Sequence, residues 1–446
     1  MFRKHTLLLF MTVAAICIAS AVSAQDLVKL SLAEARKIAL KNNTDILNSQ
    51  ADLEIARKKI WETTAIGLPH FDITSDYQFI PKVPSLPATF MDPNADPDEV
   101  VELGVKQNIT YNFTVSQLIF NGAYIIGLQA SRVYFDLSKQ GFEKTMLDVN
   151  ETVTNTYHMI QLATESRKIL SQNLENINKT LYEISEMHKQ GFLEKTDVDQ
   201  LEVTANNIRN ALNQIDGNLD VAYKLMKIQL GLNDQTTIEL TDVLESNEAL
   251  VSSSVSLIGE PFSIGNNVDF KLTETSEKLA KLDYKRELTG FLPTISGFYQ
   301  HQEKWKSPLF DFAPKDIVGV SLSLPVFSSG ERLAKVAQKK LSLEKTQNTR
   351  ALVSRSLVMQ ASQYQNDVKL KLEKLQIQKK SNELSDDIYQ RTLEKYKQGM
   401  ASSMDLMTSQ NQYLTNMTNY YQSIFDLLSA KSKLEKLFNI NQETEQ

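Results

Sequence analysis

The residues best equipped for chemistry in this 446-residue chain are few and scattered. Its histidines, His5, His70, His158, His188 and His301, never stand at a metal-pairing spacing such as H-E-x-x-H. The sequence has no Walker-type loop, no G-x-S-x-G turn and no Gly-rich dinucleotide turn. No enzyme active site, cofactor or metal is therefore expected. What does recur is a short motif. His188-Lys189-Gln190-Gly191-Phe192, followed by Asp197, returns as Tyr396-Lys397-Gln398-Gly399-Met400, followed by Asp405. The chemistry such a motif can do is hydrogen bonding at helix ends. Gly just past a helix takes the left-handed cap, having no Cβ to clash at positive φ. Asp at a helix start accepts orphan backbone N–H groups. Each copy reads as the tip of a long helical hairpin.

The elements that hold out those tips follow a basic, apolar leader. Arg3 and Lys4 precede the apolar run Leu7 to Val22, and Ala21-Val22-Ser23-Ala24 offers small residues before Gln25. Residues 1–24 read as a cleaved signal peptide. The lone Cys17 lies inside it, and Ile16 before it argues against lipidation. The mature chain is then free of cysteine, as suits an exported protein with no disulfide framework. Loss of Arg3 and Lys4 takes the formal charge from −6 to −8, which argues against a nucleic-acid partner. No other stretch has the length of a transmembrane helix, so any membrane role must come from strands.

The remainder repeats one plan. Ser31-Leu32-Ala33-Glu34 is a capping-box pattern that starts a short helix, and Thr44 or Asp45 opens a second one to about Ala65. Asn42-Asn43-Thr44-Asp45 matches Asn266-Asn267-Val268-Asp269, and Leu68-Pro69 matches Leu292-Pro293, both at an offset of 224. A constant offset over that distance marks an internal duplication. After each Leu-Pro the period becomes two. Phe71, Ile73, Tyr77 and Phe79 alternate with polar residues, as do Ile109, Tyr111, Phe113 and Val115. Val318, Val320, Leu322 and Leu324 repeat the pattern, while Thr294 to Gln302 is noisier, with Phe298 on the wrong face. Four strands are expected. They exit at Phe120-Asn121-Gly122 and Phe327-Ser328-Ser329-Gly330, where the offset has fallen to 207 or 208. The segment from Ile80 to about Lys106 holds five of the eleven prolines and reads as an irregular excursion.

Long helices come next. From Gly122 to Gln190 a single helix would reach roughly 100 Å. Positions from Phe142 to His188, spaced alternately by four and three, are mostly apolar, so the seam is a heptad. The return run Val198, Leu201, Ala205, Ile208, Leu212, Ile215, Leu219, Ala222, Met226 is cleaner. In the second half the run from Gly330 to Gln398 is noisier, as expected of a helix packed on two sides. Residues 231–265 lack heptads and read as an irregular equatorial linker between a first repeat, 25–230, and a second, 266–441.

Four strands cannot close a barrel, since about eight is the smallest practical number. Copies must share one. At this point the order of helix, strand pair and long hairpin, repeated once, resembles the TolC-like outer membrane efflux protein family over Asp26 to Asn441. The residues that carry the likeness are Ser31 to Ala35, both Leu-Pro strand starts, both Phe…Gly strand exits and both Gly…Asp tips. The fold this implies is mainly α with transmembrane β: a homotrimer whose shared twelve-stranded barrel sits in outer membrane lipid and continues as a periplasmic α-helical barrel. The function it implies is a passive exit duct for efflux or type I secretion, working with a periplasmic adaptor and an inner-membrane transporter. A soluble coiled-coil adaptor is the competing reading, but it needs a compact β-rich module between the hairpin arms, and none is readable.

The resemblance also gives the tips a role. Gln190, Gly191, Phe192, Gln398, Gly399 and Met400 stand where the family docks its adaptor. Asp197 and Asp405 stand where aspartates ring the closed entrance. Thr408, one turn after Asp405, replaces a second acidic residue of some relatives, and Ala401 replaces an Arg that ties the entrance shut in others. The plainer reading of Asp197 and Asp405 is helix capping alone, with Thr196, Ser402 and Ser403 able to share that work.

Overall fold

The computed structural model describes residues 27–440 apart from 92, 95, 97, 99, 243–246 and 309–310. The leader and Cys17 lie outside the described residues. In chain order the elements are β1 (Leu27–Leu30), α1 (Leu32–Asn42), α2 (Thr44–Ala65), β2 (His70–Phe79), β3 (Ser85–Pro87), β4 (Val100–Glu102), β5 (Gln107–Phe120), α3 (Gly122–Lys189) and α4 (Lys195–Leu230). The second half has β6 (Thr237–Leu240), α5 (Asn247–Gly259), α6 (Val268–Leu288), β7 (Thr294–Lys304), β8 (Asp316–Ser323), α7 (Glu331–Lys397) and α8 (Ser403–Phe438). Two compact units emerge, and the boundary between them falls inside α2, α3, α6 and α7.

One unit, Ala51–Gly141 with Asp269–Ser354, contains a four-stranded antiparallel sheet in the order β2-β5-β7-β8. Its register sorts most of the side chains by face. Phe71, Ile73 and Tyr77 pair with Val115, Phe113 and Ile109. Val115 then pairs with Tyr299, and Tyr299 with Val318. Residues in register share a face, so these apolar positions form one patch, which gives way on β7 and β8 to His301, Glu303 and Asp316 on the same face. Phe71 is 78% exposed and Val318 82%. The other face is polar and cross-linked: Asn112 accepts from Gln300 and Gln302 through Oδ1 and donates to Thr74 and Asp76 through Nδ2. Leu118, Phe298 and Ile317 are apolar exceptions on this polar face, and the Phe298 ring lies over Gly319, where an added Cβ would come within 2.5 Å of it. That contact accounts for the noise in the β7 pattern. The segment after β2 is more regular than expected, since β3 and β4 pair as a small hairpin.

The other unit holds the hairpins and is built on the heptads. Val153, Ile160, Ile177 and Ile184 of α3 are buried, as are Leu201, Ala205, Ile208 and Met226 of α4. The noise in α7 comes from two apolar stripes, of which one is buried and the other exposed. Ala361, Val368, Leu375, Tyr389 and Tyr396 form a buried stripe. Met359, Leu370, Ile377 and Leu384 form a second, exposed one on the far side of the same helix. Two apolar stripes on one helix cancel in any single-face pattern.

The linker departs from expectation. Residues 231–265 include β6, which pairs in parallel with β1, and the 13-residue α5, whose Leu250 and Leu257 pack against α7 and α8. The described chain therefore has eight strands rather than four, although the main sheet has four. One clamp occurs in both repeats. The buried Asn43 side chain donates to the Gln229 carbonyl, and buried Asn267 donates to the Leu437 carbonyl, each at 2.8 Å. These satisfy carbonyls at the C-termini of α4 and α8, which helix geometry leaves orphaned. Just beyond, Gly231 (φ +62°) and Asn439 (φ +58°) supply equivalent left-handed caps.

Candidate functional site at the hairpin tips

Both tips end in the same turn. Gly191 has φ +83° and Gly399 +72°, with nothing within 4 Å of an added Cβ, so it is backbone conformation that calls for glycine there. The Gly191 N–H donates to the His188 carbonyl and the Phe192 N–H to that of Met187. Gly399 and Met400 donate likewise to Tyr396 and Lys395. This is the Schellman arrangement, and it places Phe192 and Met400 one residue beyond the cap. They are 71% and 66% exposed, and Gln190 and Gln398 are exposed beside them. At the first tip His188 Nδ1 also bonds the Leu193 carbonyl at 2.8 Å, closing the turn.

The return helices start differently from expectation. Neither aspartate is the N-cap. Glu194 caps α4 and Ser402 caps α8, while Asp197 and Asp405 are the third helical residues and close capping boxes. Asp405 Oδ2 accepts from the Ser402 N–H at 3.0 Å and from its hydroxyl at 2.7 Å. Those bonds, the hydroxyl first, hold its carboxyl below the usual range. Asp197 makes the weaker box, 3.3 Å to the Glu194 N–H, and keeps Oδ1 for another partner. Thr196 has no capping role, since Glu194 does that work. Thr408 is exposed, three residues after Asp405.

The partner of Asp197 comes from the other hairpin. Ser403 Oγ lies 2.5 Å from both Asp197 Oδ1 and Gln200 Oε1. One hydroxyl proton cannot serve two acceptors, so it goes to the carboxylate, and Gln200 is satisfied with its amide turned over. Ser403 itself is buried. Beneath this clasp the hairpins share an apolar cluster that includes Ile184, Leu201, Tyr396 and Leu406. Burial, with the Asp197 charge adding, pushes the Tyr396 hydroxyl up to about 12. Among the described residues no protein group bonds that hydroxyl. The structure thus brings Asp197 to the second hairpin through Ser403, while among the described residues Asp405 is engaged with its own cap. Ser403 stands out in the sequence only as a possible cap. The signal for Tyr396 is its place in the repeat, where it takes the position of His188.

With that geometry in view, residues 264–439 match the model of the family described as outer membrane efflux protein. The whole described fold extends the likeness. The outer membrane protein VceC from Vibrio cholerae superposes with a TM-score of 0.71 at 13% identity, covering 91% of this chain and 95% of that one. The CmeC outer membrane channel of Campylobacter jejuni gives 0.73 at 18%, covering 91% and 85%. The open-state MtrE outer membrane channel of Neisseria gonorrhoeae gives 0.68 at 14%, covering 91% and 88%. At these identities the likeness is one of fold. No curated protein sequence matches the chain. Among the described residues, no helix is long and apolar enough to cross a membrane. The apolar face of the sheet is a separate matter, since barrel strands show only alternation.

Proposed function

We propose that this chain is one subunit of a passive outer membrane exit duct, fed by an inner-membrane transporter through a periplasmic adaptor. The observation that carries the reading is the sheet with one largely apolar face, one largely polar face and, among the described residues, two unpaired edges, β2 and β8. An open edge in lipid leaves backbone N–H and C=O groups unsatisfied, so only closure into a barrel makes such a sheet viable there. Four strands fall short of a barrel, and three copies in a ring supply enough. The exposed stripe on α7 supports the same arrangement, because it gives each copy an apolar helix face to set against its neighbour.

In this reading the tips form the periplasmic entrance. Asp197 and Asp405, three copies of each, set a negative potential there, and Thr408 adds no charge to it. Gln190, Phe192, Gln398 and Met400, held out by Gly191 and Gly399, are the surface offered to the adaptor. No bond is made or broken; transport needs a wet lumen and an entrance that opens. The test is single-channel recording of the purified protein in planar bilayers, the parent against Asp197→Ala with Asp405→Ala. A cation-selective conductance whose selectivity falls in the double variant is expected. Well-folded oligomer that conducts nothing would sink the duct. Selectivity untouched by the double change would leave the duct standing and return the aspartates to capping.

A further inference from the structure

A cavity of about 880 Å³ opens in the sheet-containing unit, where α2, α3 and α6 meet the ends of the strands. Its volume is that of a site for a drug-sized molecule. Ser116 and Ser296 in its wall belong to the polar face of the sheet, the face that turns from lipid in the duct reading. In the duct reading, Ser116 and Ser296 put that part of the cavity wall on the lumen side, while Gln117 comes from the other face.

Its chemistry is amphipathic. Ile55, Ile66, Leu279 and Tyr134 supply apolar lining. Ile55 is 61% exposed and Ile66 53%, so this concave surface holds apolar area that a ligand could cover. The charges at its rim cancel locally. Lys59 pairs with Glu62 at 2.7 Å, and Arg286 with Asp283 at 3.4 Å, each within one helix. A ligand with a strong net charge finds no unmatched partner there, while hydroxyls at Ser116, Ser296 and Tyr134 remain on offer to neutral polar groups. Gly127 also lines the cavity, and a Cβ there would meet only Thr63 Cγ2, at 3.9 Å.

We propose that this cavity is a resting site on the duct wall for amphipathic cargo without net charge. The proposal rests on the duct reading for its place in the lumen. It makes the passage selective by dwell time at a point remote in sequence from the entrance aspartates.

The test uses full-length trimer and an uncharged amphipathic fluorophore, N-phenyl-naphthylamine. Two variants are compared with the parent: Ile55→Ser with Ile66→Ser, which removes the apolar lining, and Gly127→Phe, which fills the space. Equilibrium fluorescence titration is expected to show saturable binding to the parent that weakens about tenfold in both variants. In single-channel recordings the same probe is expected to produce current-blocking dwells that the variants lose, while the probe-free current of the serine variant stays at the parental level. Saturable binding or dwells unchanged in both folded variants would overturn the site, as would no saturable binding to the parent. If the parent conducts nothing, the duct reading fails, and the titration still decides whether the cavity binds.

Discussion

At the scale of single residues, Ser403 is the group that ties one hairpin to the other at the tip. Its hydroxyl reaches Asp197, and Asp197 has little other fixed engagement. Ser403→Ala is expected to free that carboxylate and to raise the open probability or conductance of the purified channel, with Ser403→Thr restoring much of the parental behaviour. Recordings of both variants beside the parent check this, and equal currents in all three would remove Ser403 from the gate. A second residue governs acid behaviour far along the chain from the tips. His158 is held down to about 4, chiefly by burial, with the Arg36 and Lys431 charges lowering it further. Its folded value lies below the unfolded one, so between about 6.5 and 4 the unfolded chain binds more protons. The stability it contributes is complete above about 6.5 and is lost as pH falls through the folded value. The loss is on the order of 3 kcal/mol by pH 4. Thermal melts from pH 7 to pH 4 are expected to fall less steeply for His158→Gln than for the parent; parallel slopes would exclude His158 as the cause.

At the scale of elements, the two repeats close their return helices with the same geometry and different residues. Gly231 is required twice over, by its positive φ and by the Asn42 carbonyl oxygen, which an added Cβ would approach to 2.5 Å. Asn439 manages the same φ with a side chain that donates to the Asn266 carbonyl at 3.3 Å. Gly231→Ala is expected to cost more than 1 kcal/mol, roughly, and Asn439→Gly only a few tenths. Asn267→Leu strands the buried Leu437 carbonyl and should cost about 1–3 kcal/mol. Melting curves of the three variants rank these effects, and a costless Gly231→Ala would refute the steric account.

Much of this was legible because it is periodic or local. The Ser31 capping box, the heptads of α3 and α4 and the alternation in β2 each declare themselves within a few residues. What was not legible depends on distant partners. β1 is four residues long and acquires its identity from β6, some two hundred residues later. The helix α5 hid in a run of serines, since its apolar positions make sense only against α7 and α8. At the tips, the glycines announced their turns, but the Ser403–Asp197 bond joins residues 206 apart and no spacing predicts it. Assigning the aspartates to capping found the right turn of helix and missed the position, because Ser402 and Glu194 take the cap itself.

At the scale of the whole molecule, the α7 stripe carries the clearest prediction. Leu370 and Ile377 are exposed and seven residues apart on one face. Replacing both with Asp puts charge into the proposed seam between copies and leaves each chain's own buried stripe intact. The SDS-resistant trimer is expected to disappear on gels while far-ultraviolet circular dichroism stays that of a largely helical protein. Trimer that survives the double change would place the subunit contact elsewhere.

The unequal loops between paired strands bear on how such an assembly meets the world outside. Ile80 to Lys106 joins β2 to β5, and the corresponding segment between β7 and β8, residues 305–315, is 16 residues shorter. That difference accounts for nearly all of the fall in repeat offset from 224 to 207 or 208. Duplication alone would give a three-copy ring six equivalent crests around its mouth. In the proposed three-copy duct, the lengthened loop, with its own β3–β4 hairpin, would give three longer loops alternating with three shorter ones. On that proposal, anything binding the duct at these loops would meet threefold rather than sixfold symmetry.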